Sequence, residues 1–182
     1  SSAEPIKTLT ASQWATTGAT RGTLSAPSIE SLRVKGDFNE DVGAGTIKKF
    51  QVGSLTASAI RAATSIDTLT TGNATNSEIF VAVDTSQTAL PTTSDQFTSA
   101  GSIKSINVRG TFSNTQIAGW NIASVNLRSI QTSNGGTPFG IAGNKVDNVR
   151  SSANGKAQVS KSLFSPLASV SLGGDAIIRL LG

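Results

Sequence analysis

The 182-residue chain contains no Cys, His, Met or Tyr, and charged residues make up only 14% of it. Without Cys there can be no disulfide framework, thiol nucleophile or iron–sulfur cluster. Without His, a zinc site of the usual kind and a Ser-His-Asp triad are excluded. Proton transfer near neutral pH would need a carboxylate or a Lys with a displaced pKa. We therefore expect a protein that is not an enzyme and has no resident cofactor.

Aromatic residues and long apolar runs are also scarce. Aromatics account for 5% of the chain, and Lys48-Lys49 is the only adjacent pair of basic residues despite a net charge of +4. Nucleic-acid-binding proteins usually cluster Lys and Arg and interleave them with aromatics, so no nucleic-acid partner is expected. No run of about 18 apolar residues occurs, which argues against a membrane span.

Small polar residues are abundant, and they separate copies of a short phrase, Ile-x-x-Leu-x-Val. The chain has 26 Ser, 22 Thr and 18 Gly. The phrase begins at Ile6, Ile29, Ile47, Ile66, Ile103, Ile122 and Val146. Most copies are 18 to 24 residues apart, and a single step of 37 residues separates Ile66 from Ile103. Repetition at such a period is typical of proteins built from stacked structural units.

Two further sets of apolar residues recur at the same spacing as the phrase. One precedes it, at Leu24, Val42, Ile60, Ile79, Ile117 and Ile141. The other follows it, at Phe38, Leu55, Phe112 and Ile130. Three short apolar stretches per repeat cannot bury a face alone, but stacked repeats share one continuous core. The pattern predicts an all-β chain folded as a right-handed parallel β-helix (a β-solenoid) of about seven coils.

We expect a single domain over residues 1–182. Residues 1–23 form an N-terminal coil or cap, and residues 24–151 form the repeat coils. A loop inserted at 84–100, polar and containing Pro91, accounts for the 37-residue step. Residues 152–182 form a C-terminal cap or assembly strands, with two strands about the turn at Gly173-Gly174-Asp175. The chain starts without Met or an apolar leader, so we expect a processed product or a piece of a longer protein.

The second position of the phrase alternates in charge along the chain. It is occupied in order by Lys7, Glu30, Lys48, Asp67 and Lys104, and then by Ala123 and Asp147. Equivalent residues of stacked strands lie next to one another, where opposite charges attract and like charges repel. The alternation therefore predicts a ladder of ion pairs between neighbouring repeats.

Two groups of polar residues are candidate sites. Asp37, Glu40 and Asp41 offer three carboxylates within one turn and could bind calcium, although a polar turn is the default interpretation. The residues just past the phrase include Lys35, Arg109 and Arg128. With Trp120, Arg109 and Arg128 are candidate contacts to a glycan, and the basic residues suit an anionic polysaccharide.

The segments Gly101–Phe112 and Gly45–Val52 resemble the Gly-Ser-Ile-x-x-Val-x-Val-x-Gly repeats of extracellular β-solenoid proteins common in planctomycetes and related bacteria. The resemblance covers about residues 24–151. It implies a secreted or surface-attached part of a larger protein, and it transfers no catalytic residues.

These observations lead to one expectation about function and two alternatives. We expect a non-enzymatic extracellular structural or adhesion module at the cell surface. Its partners would be surface or matrix proteins, copies of itself, or polysaccharide. One alternative is a β-helix that binds or modifies carbohydrate. The other is a subunit of a filament or surface lattice assembled through its ends.

Overall fold

The computed structural model describes residues 1–18, 20–153, 156–163 and 169–182. The described residues form strands and one 3-10 turn, Ser94–Gln96, with no α-helix among them. Thr, Val and Ile favour the extended backbone because their branched side chains pack well on a pleated surface. The strands are β1 Leu9–Ala11, β2 Thr23–Phe38, β3 Asp41–Thr56, β4 Ala59–Thr75, β5 Glu78–Val81, β6 Ser102–Ser113, β7 Gln116–Ala118, β8 Asn121–Ile122, β9 Val125–Ile130, β10 Phe139–Gly143, β11 Lys145–Ala153, β12 Lys156–Leu163, β13 Ser169–Gly173 and β14 Ala176–Leu180.

All fourteen strands belong to one hydrogen-bonded sheet, and most of its pairings are parallel. The three long strands β2, β3 and β4 run side by side, and β4 then pairs with both β5 and β6. The predicted all-β class is therefore confirmed, with a large and mostly parallel sheet.

The first residues of all seven phrases are neighbours across this sheet, as the repeat predicts. Successive pairs join Ile29 to Ile47, Ile47 to Ile66, Ile66 to Ile103, Ile103 to Ile122 and Ile122 to Val146. An isolated bridge adds Ile6 to Ile29. From Ile29 to Val146 these side chains are at most 2% exposed, so the repeated phrase forms the spine of the core.

The two other apolar sets are also in register. Leu24, Val42, Ile60, Ile79, Ile117 and Ile141 form one continuous series of parallel pairs, which Ile178 extends. In the third set, Ala74 fills the position between Leu55 and Phe112. Ile66 pairs directly with Ile103, so the 84–100 segment leaves the register of the parallel strands undisturbed.

The predicted charge ladder forms ion pairs between neighbouring strands. The Lys48 ammonium lies 2.8 Å from the Glu30 carboxylate, and Lys104 lies 2.9 Å from Asp67. The hydrogen bond that Lys48 donates to Glu30 raises the pKa of that ammonium above its ordinary value. Such exposed pairs contribute little stability individually, but like charges here would oppose the observed register.

The C-terminal strands include the predicted hairpin. β13 pairs antiparallel with β14 across a turn in which Gly173 and Gly174 have φ values of 117° and 52°, which glycine adopts without strain. β14 continues the parallel stack on β10, and β12 pairs antiparallel with β11. Residues 154–155 and 164–168 of the predicted C-terminal cap lie outside the described residues.

One corner of the repeat carries a ladder of asparagine side chains. The Asn114 amide donates to the Asn76 carbonyl at 2.8 Å, and the Asn134 amide donates to Asn114 at 2.8 Å. Asn76 and Asn114 have positive φ values of 51° and 39°, a conformation that Asn tolerates better than most residues. Ala57 occupies the equivalent position in the preceding repeat, with φ 51°. Its N–H donates a hydrogen bond to the Thr75 carbonyl, next to Asn76.

Replacing Ala57 should therefore stabilise the protein. We expect Ala57→Gly to raise the free energy of unfolding by about 1 kcal/mol, because glycine removes the cost of the left-handed conformation. Ala57→Asn should give a comparable gain and extend the ladder to Asn76. Urea unfolding checks both values. Ala63→Asn, an exposed position within β4, is the matched control and should give no gain; an equal gain there would contradict the explanation.

Candidate functional site

An open cleft of about 260 Å³ lies on the outward surface where β2, β3, β4 and β6 run side by side. Its charged lining residues are Arg33, Lys35 and Arg109. The rest of the lining is formed by Val34, Gln51, Val52, Gly53, Thr70, Thr71 and Gly72. The cleft therefore combines three cations with neutral polar groups and exposed backbone.

The repeat explains why these cations point outward. Leu32 and Val34 are at most 1% exposed, so the alternation of a strand turns Arg33 and Lys35 to the opposite face. Arg33 pairs in register with Gln51, Gln51 with Thr70, and Thr70 with Asn107. The fifth position of the phrase thus forms a polar column beside the cleft.

Two glycines create the depression itself. A Cβ on Gly53 would lie 2.3 Å from the Lys35 carbonyl oxygen, and a Cβ on Gly72 would lie 2.2 Å from the Gly53 carbonyl oxygen. The strands approach too closely here for any side chain, and their register shifts nearby, between Val34 and Asp37 and between Thr71 and Ala74. Two positions without side chains, Gly53 and Gly72, therefore separate Lys35 from Arg109 and leave a hollow between them.

Among the described residues, no acidic side chain lines the cleft beside these three cations. None of the ion pairs formed within residues 1–18, 20–153, 156–163 and 169–182 involves Arg33, Lys35 or Arg109. All three residues are exposed. The arrangement is therefore suited to an anionic ligand that supplies the missing negative charge.

The candidate glycan contacts divide between two places. Arg109 lines the cleft, and Arg128 occupies the corresponding part of the next strand, where Val108 pairs with Leu127. Trp120 is not part of the lining, because its ring packs edge-on against Phe97, with 5.7 Å between the ring centroids. The sequence analysis did not name Arg33 as a candidate. Its place at the fifth position of the phrase, where the other repeats carry polar residues, could have identified it.

The candidate calcium ligands are directed to separate partners. The Glu40 carboxylate is buried and accepts hydrogen bonds from the Thr16 hydroxyl and the Gly22 N–H. Asp41 accepts a hydrogen bond of 2.9 Å from the Ala59 N–H and lies 3.4 Å from Arg21.

The third carboxylate, Asp37, accepts a hydrogen bond from the Ser54 hydroxyl. Within the part of the chain that the structure describes, no group of three acidic side chains is placed to hold a metal ion. Each of these carboxylates accepts a hydrogen bond from a distant part of the chain.

The inserted loop at 84–100 packs against the outer face of the sheet. It shares a small hydrophobic cluster with strand residues, against which Trp120 and Ile177 also pack. The cluster consists of Phe80, Val83, Leu90, Phe97, Ala118, Ala142 and Leu181. The loop is therefore a folded part of the molecule with its own buried contacts.

Two arginines fasten the loop at opposite sides. Arg61 donates to the Asp84 carbonyl at 3.3 Å and to the Gln87 carbonyl, while its guanidinium lies 4.9 Å from the centroid of the Phe80 ring. Arg179 donates to the carbonyls of Leu90, at 3.2 Å, and Pro91, at 2.9 Å. Burial lowers the pKa of Arg179 from its ordinary value. Both cations thus contact the loop, and Arg61 also pairs with the Glu78 carboxylate at 2.7 Å.

None of the described residues belongs to a helix long and apolar enough to cross a membrane. Comparisons with protein-family models, with curated proteins and with solved structures each returned no match.

Proposed function

We propose that the chain is a non-enzymatic structural or adhesion module, folded as a right-handed parallel β-helix of about seven coils and located outside the cell or at its surface. The observation that carries this proposal is the stacking of all seven phrases in one register, from Ile6 to Val146. A crossover between parallel strands of one sheet is right-handed in nearly all proteins, which supports the stated handedness.

The physical properties of such a stack suit a scaffold. Parallel strands lie about 4.8 Å apart, so seven coils would form a rod roughly 35 Å long. Its continuous core holds the outward residues at fixed spacings, and its ion-pair ladder opposes slippage of the register. A rigid surface with repeated side chains can engage surface or matrix proteins, or polysaccharide, without a catalytic centre.

The pairing at the C-terminal end supports a cap in preference to a lattice joint. Both β12 and β13 run antiparallel to the strands they cover. An antiparallel end strand interrupts the parallel pattern that a second copy would need in order to continue the stack, and it covers an otherwise open edge. Sedimentation should show a monomer at high concentration; end-to-end polymers that disappear on deletion of residues 161–182 would favour the filament alternative.

Labelling of intact cells tests the proposed location. A membrane-impermeant amine reagent applied to cells that produce the native protein should modify Lys48 and Lys49, both of which are exposed. A cytosolic protein of the same cells serves as the control and should remain unlabelled until lysis. Labelling of Lys48 and Lys49 only after lysis would contradict an extracellular role.

A further inference from the structure

We propose that the surface around the cleft binds an anionic polysaccharide, one whose sugars carry uronate carboxylates or sulfate groups. This surface, called the basic face below, consists of Arg33, Lys35, Arg109 and Arg128 with the neutral column Gln51, Thr70 and Asn107. The inference rests on the adhesion role proposed above and names the ligand that this role would use.

The contrast with the charge ladder identifies the basic face as a binding surface. At the second position of the phrase, Lys48 and Lys104 each have a carboxylate partner on the neighbouring strand. In the cleft, Arg33, Lys35 and Arg109 surround a hollow whose lining contains no acid. The repeat thus pairs Lys48 and Lys104 with acids at the second position, whereas the three cations of the cleft form no ion pair among the described residues, an arrangement that attracts an anion.

The neutral column adds groups that recognise sugar hydroxyls. Gln51, Thr70 and Asn107 are half-buried side chains in register, about 4.8 Å apart along the stack. Amide and hydroxyl groups both donate and accept hydrogen bonds, as sugar hydroxyls do. No side-chain hydrogen bond between described residues uses these three groups, so they can bind an external ligand.

The shape of the site favours a polymer over a small molecule. The cleft is only partly enclosed, since Gly53 and Gly72 add no side chains to its lining, whereas pockets for small ligands usually enclose most of the ligand surface. The cations lie at both ends of this hollow, with Lys35 on β2 and Arg109 on β6. An extended chain lying along the stacking direction would cross the glycine rungs and meet a cation at each end.

The same features disfavour a nucleic acid. No aromatic side chain of the described part of the chain lines the cleft, and single-stranded nucleic acids are held largely by base stacking on aromatics. Trp120, the nearest candidate by sequence, packs against Phe97 under the loop.

Binding measurements with charge-matched variants test the inference. Oligogalacturonate and heparin serve as the carboxylate and sulfate probes, with dextran as the neutral glycan and single-stranded DNA as the competing polyanion, each titrated by calorimetry at low and high salt. One variant combines Arg33→Gln, Lys35→Gln and Arg109→Gln. The control combines Lys7→Gln, Lys48→Gln and Lys104→Gln. Each variant removes three positive charges and lowers the net charge from +4 to +1.

We expect the native chain to bind at least one of the two acidic glycans and to ignore dextran. The cleft variant should bind roughly tenfold more weakly or worse, with a shallower dependence on salt, and the control should stay within about threefold of the native chain. Both variants should keep the native circular dichroism and unfolding midpoint to within a few degrees.

A variant with two substitutions distinguishes hydrogen bonding to the sugar from electrostatic attraction alone. Gln51→Ala with Asn107→Ala leaves the charge unchanged and should still weaken glycan binding, because it removes hydrogen-bonding groups from the neutral column. Equal losses in the cleft and control variants, tighter binding of DNA than of either glycan, or no binding to any polyanion at low salt would each overturn the inference. A chain that labels outside the cell yet binds no glycan would overturn it while leaving the proposed function intact.

Discussion

Phe50→Ala should lower the free energy of unfolding by about 3–5 kcal/mol, one of the largest effects expected for a single substitution in this protein. The Phe50 ring is fully buried at the fourth position of the phrase, between Leu32 and Leu69 on the neighbouring strands. It also meets Phe38 edge to face, with 5.4 Å between the ring centroids. Truncation leaves a cavity that strands fixed by hydrogen bonds on both sides cannot close.

Urea or thermal unfolding followed by circular dichroism measures this loss. Lys49→Ala is the matched control, since Lys49 is the preceding residue on the same strand and its side chain is exposed. We expect the control to change stability by no more than about 0.5 kcal/mol. The loss of stability for Phe50→Leu should fall between those of Phe50→Ala and Lys49→Ala, because the neighbouring strands already carry Leu at this position, as Leu32 and Leu69. Comparable losses for Phe50→Ala and Lys49→Ala would contradict the placement of Phe50 in the core.

Gly72→Ala should cost about 3 kcal/mol, although it adds a single methyl group to a half-buried position. The added Cβ would lie 2.2 Å from the Gly53 carbonyl oxygen, far inside van der Waals contact. This neighbour is backbone and belongs to the parallel ladder, so relief requires the two strands to separate. The same substitution should deform the cleft and weaken polyanion binding.

Gly43→Ala provides the control for glycine replacement in the same sheet. Gly43 lies on β3 in a regular parallel pairing, and an added Cβ there would meet no atom within 4 Å. We expect this change to be neutral or to stabilise by a few tenths of a kcal/mol, because Ala reduces the entropy of the unfolded chain at little steric cost. If Gly43→Ala and Gly72→Ala proved equally destabilising, the steric explanation of the cleft would fail.

The core was predictable because each repeat is a local unit with the same internal spacing. Buried positions of a strand must be apolar, so the stacking of Ile29, Ile47 and Ile66 could be deduced from the recurrence of the phrase. The alternating signs of Glu30, Lys48 and Asp67 independently supported the same alignment, since like charges would repel in it.

The candidate sites were harder to predict, because they depend on contacts between segments that are distant in sequence, and no local sequence pattern reveals such contacts. Asp37, Glu40 and Asp41 are close in sequence, yet they accept hydrogen bonds from different segments, such as Ser54 and Gly22. Trp120, a candidate glycan contact, has as its ring partner Phe97, which the 84–100 loop contributes. Trp120 is half-buried there, and an aromatic ring gains free energy from the apolar area that such a contact removes from water.

The sequence alone determined which residues face inward and how the repeats align, because burial and strand alternation act residue by residue. Only the tertiary structure decided which outward residues become neighbours. Arg33 and Arg109 share a cleft because three parallel pairings and two glycine rungs bring β2 and β6 to the same surface. How closely two backbones approach depends on both strands, so it cannot be deduced from the sequence of either strand alone.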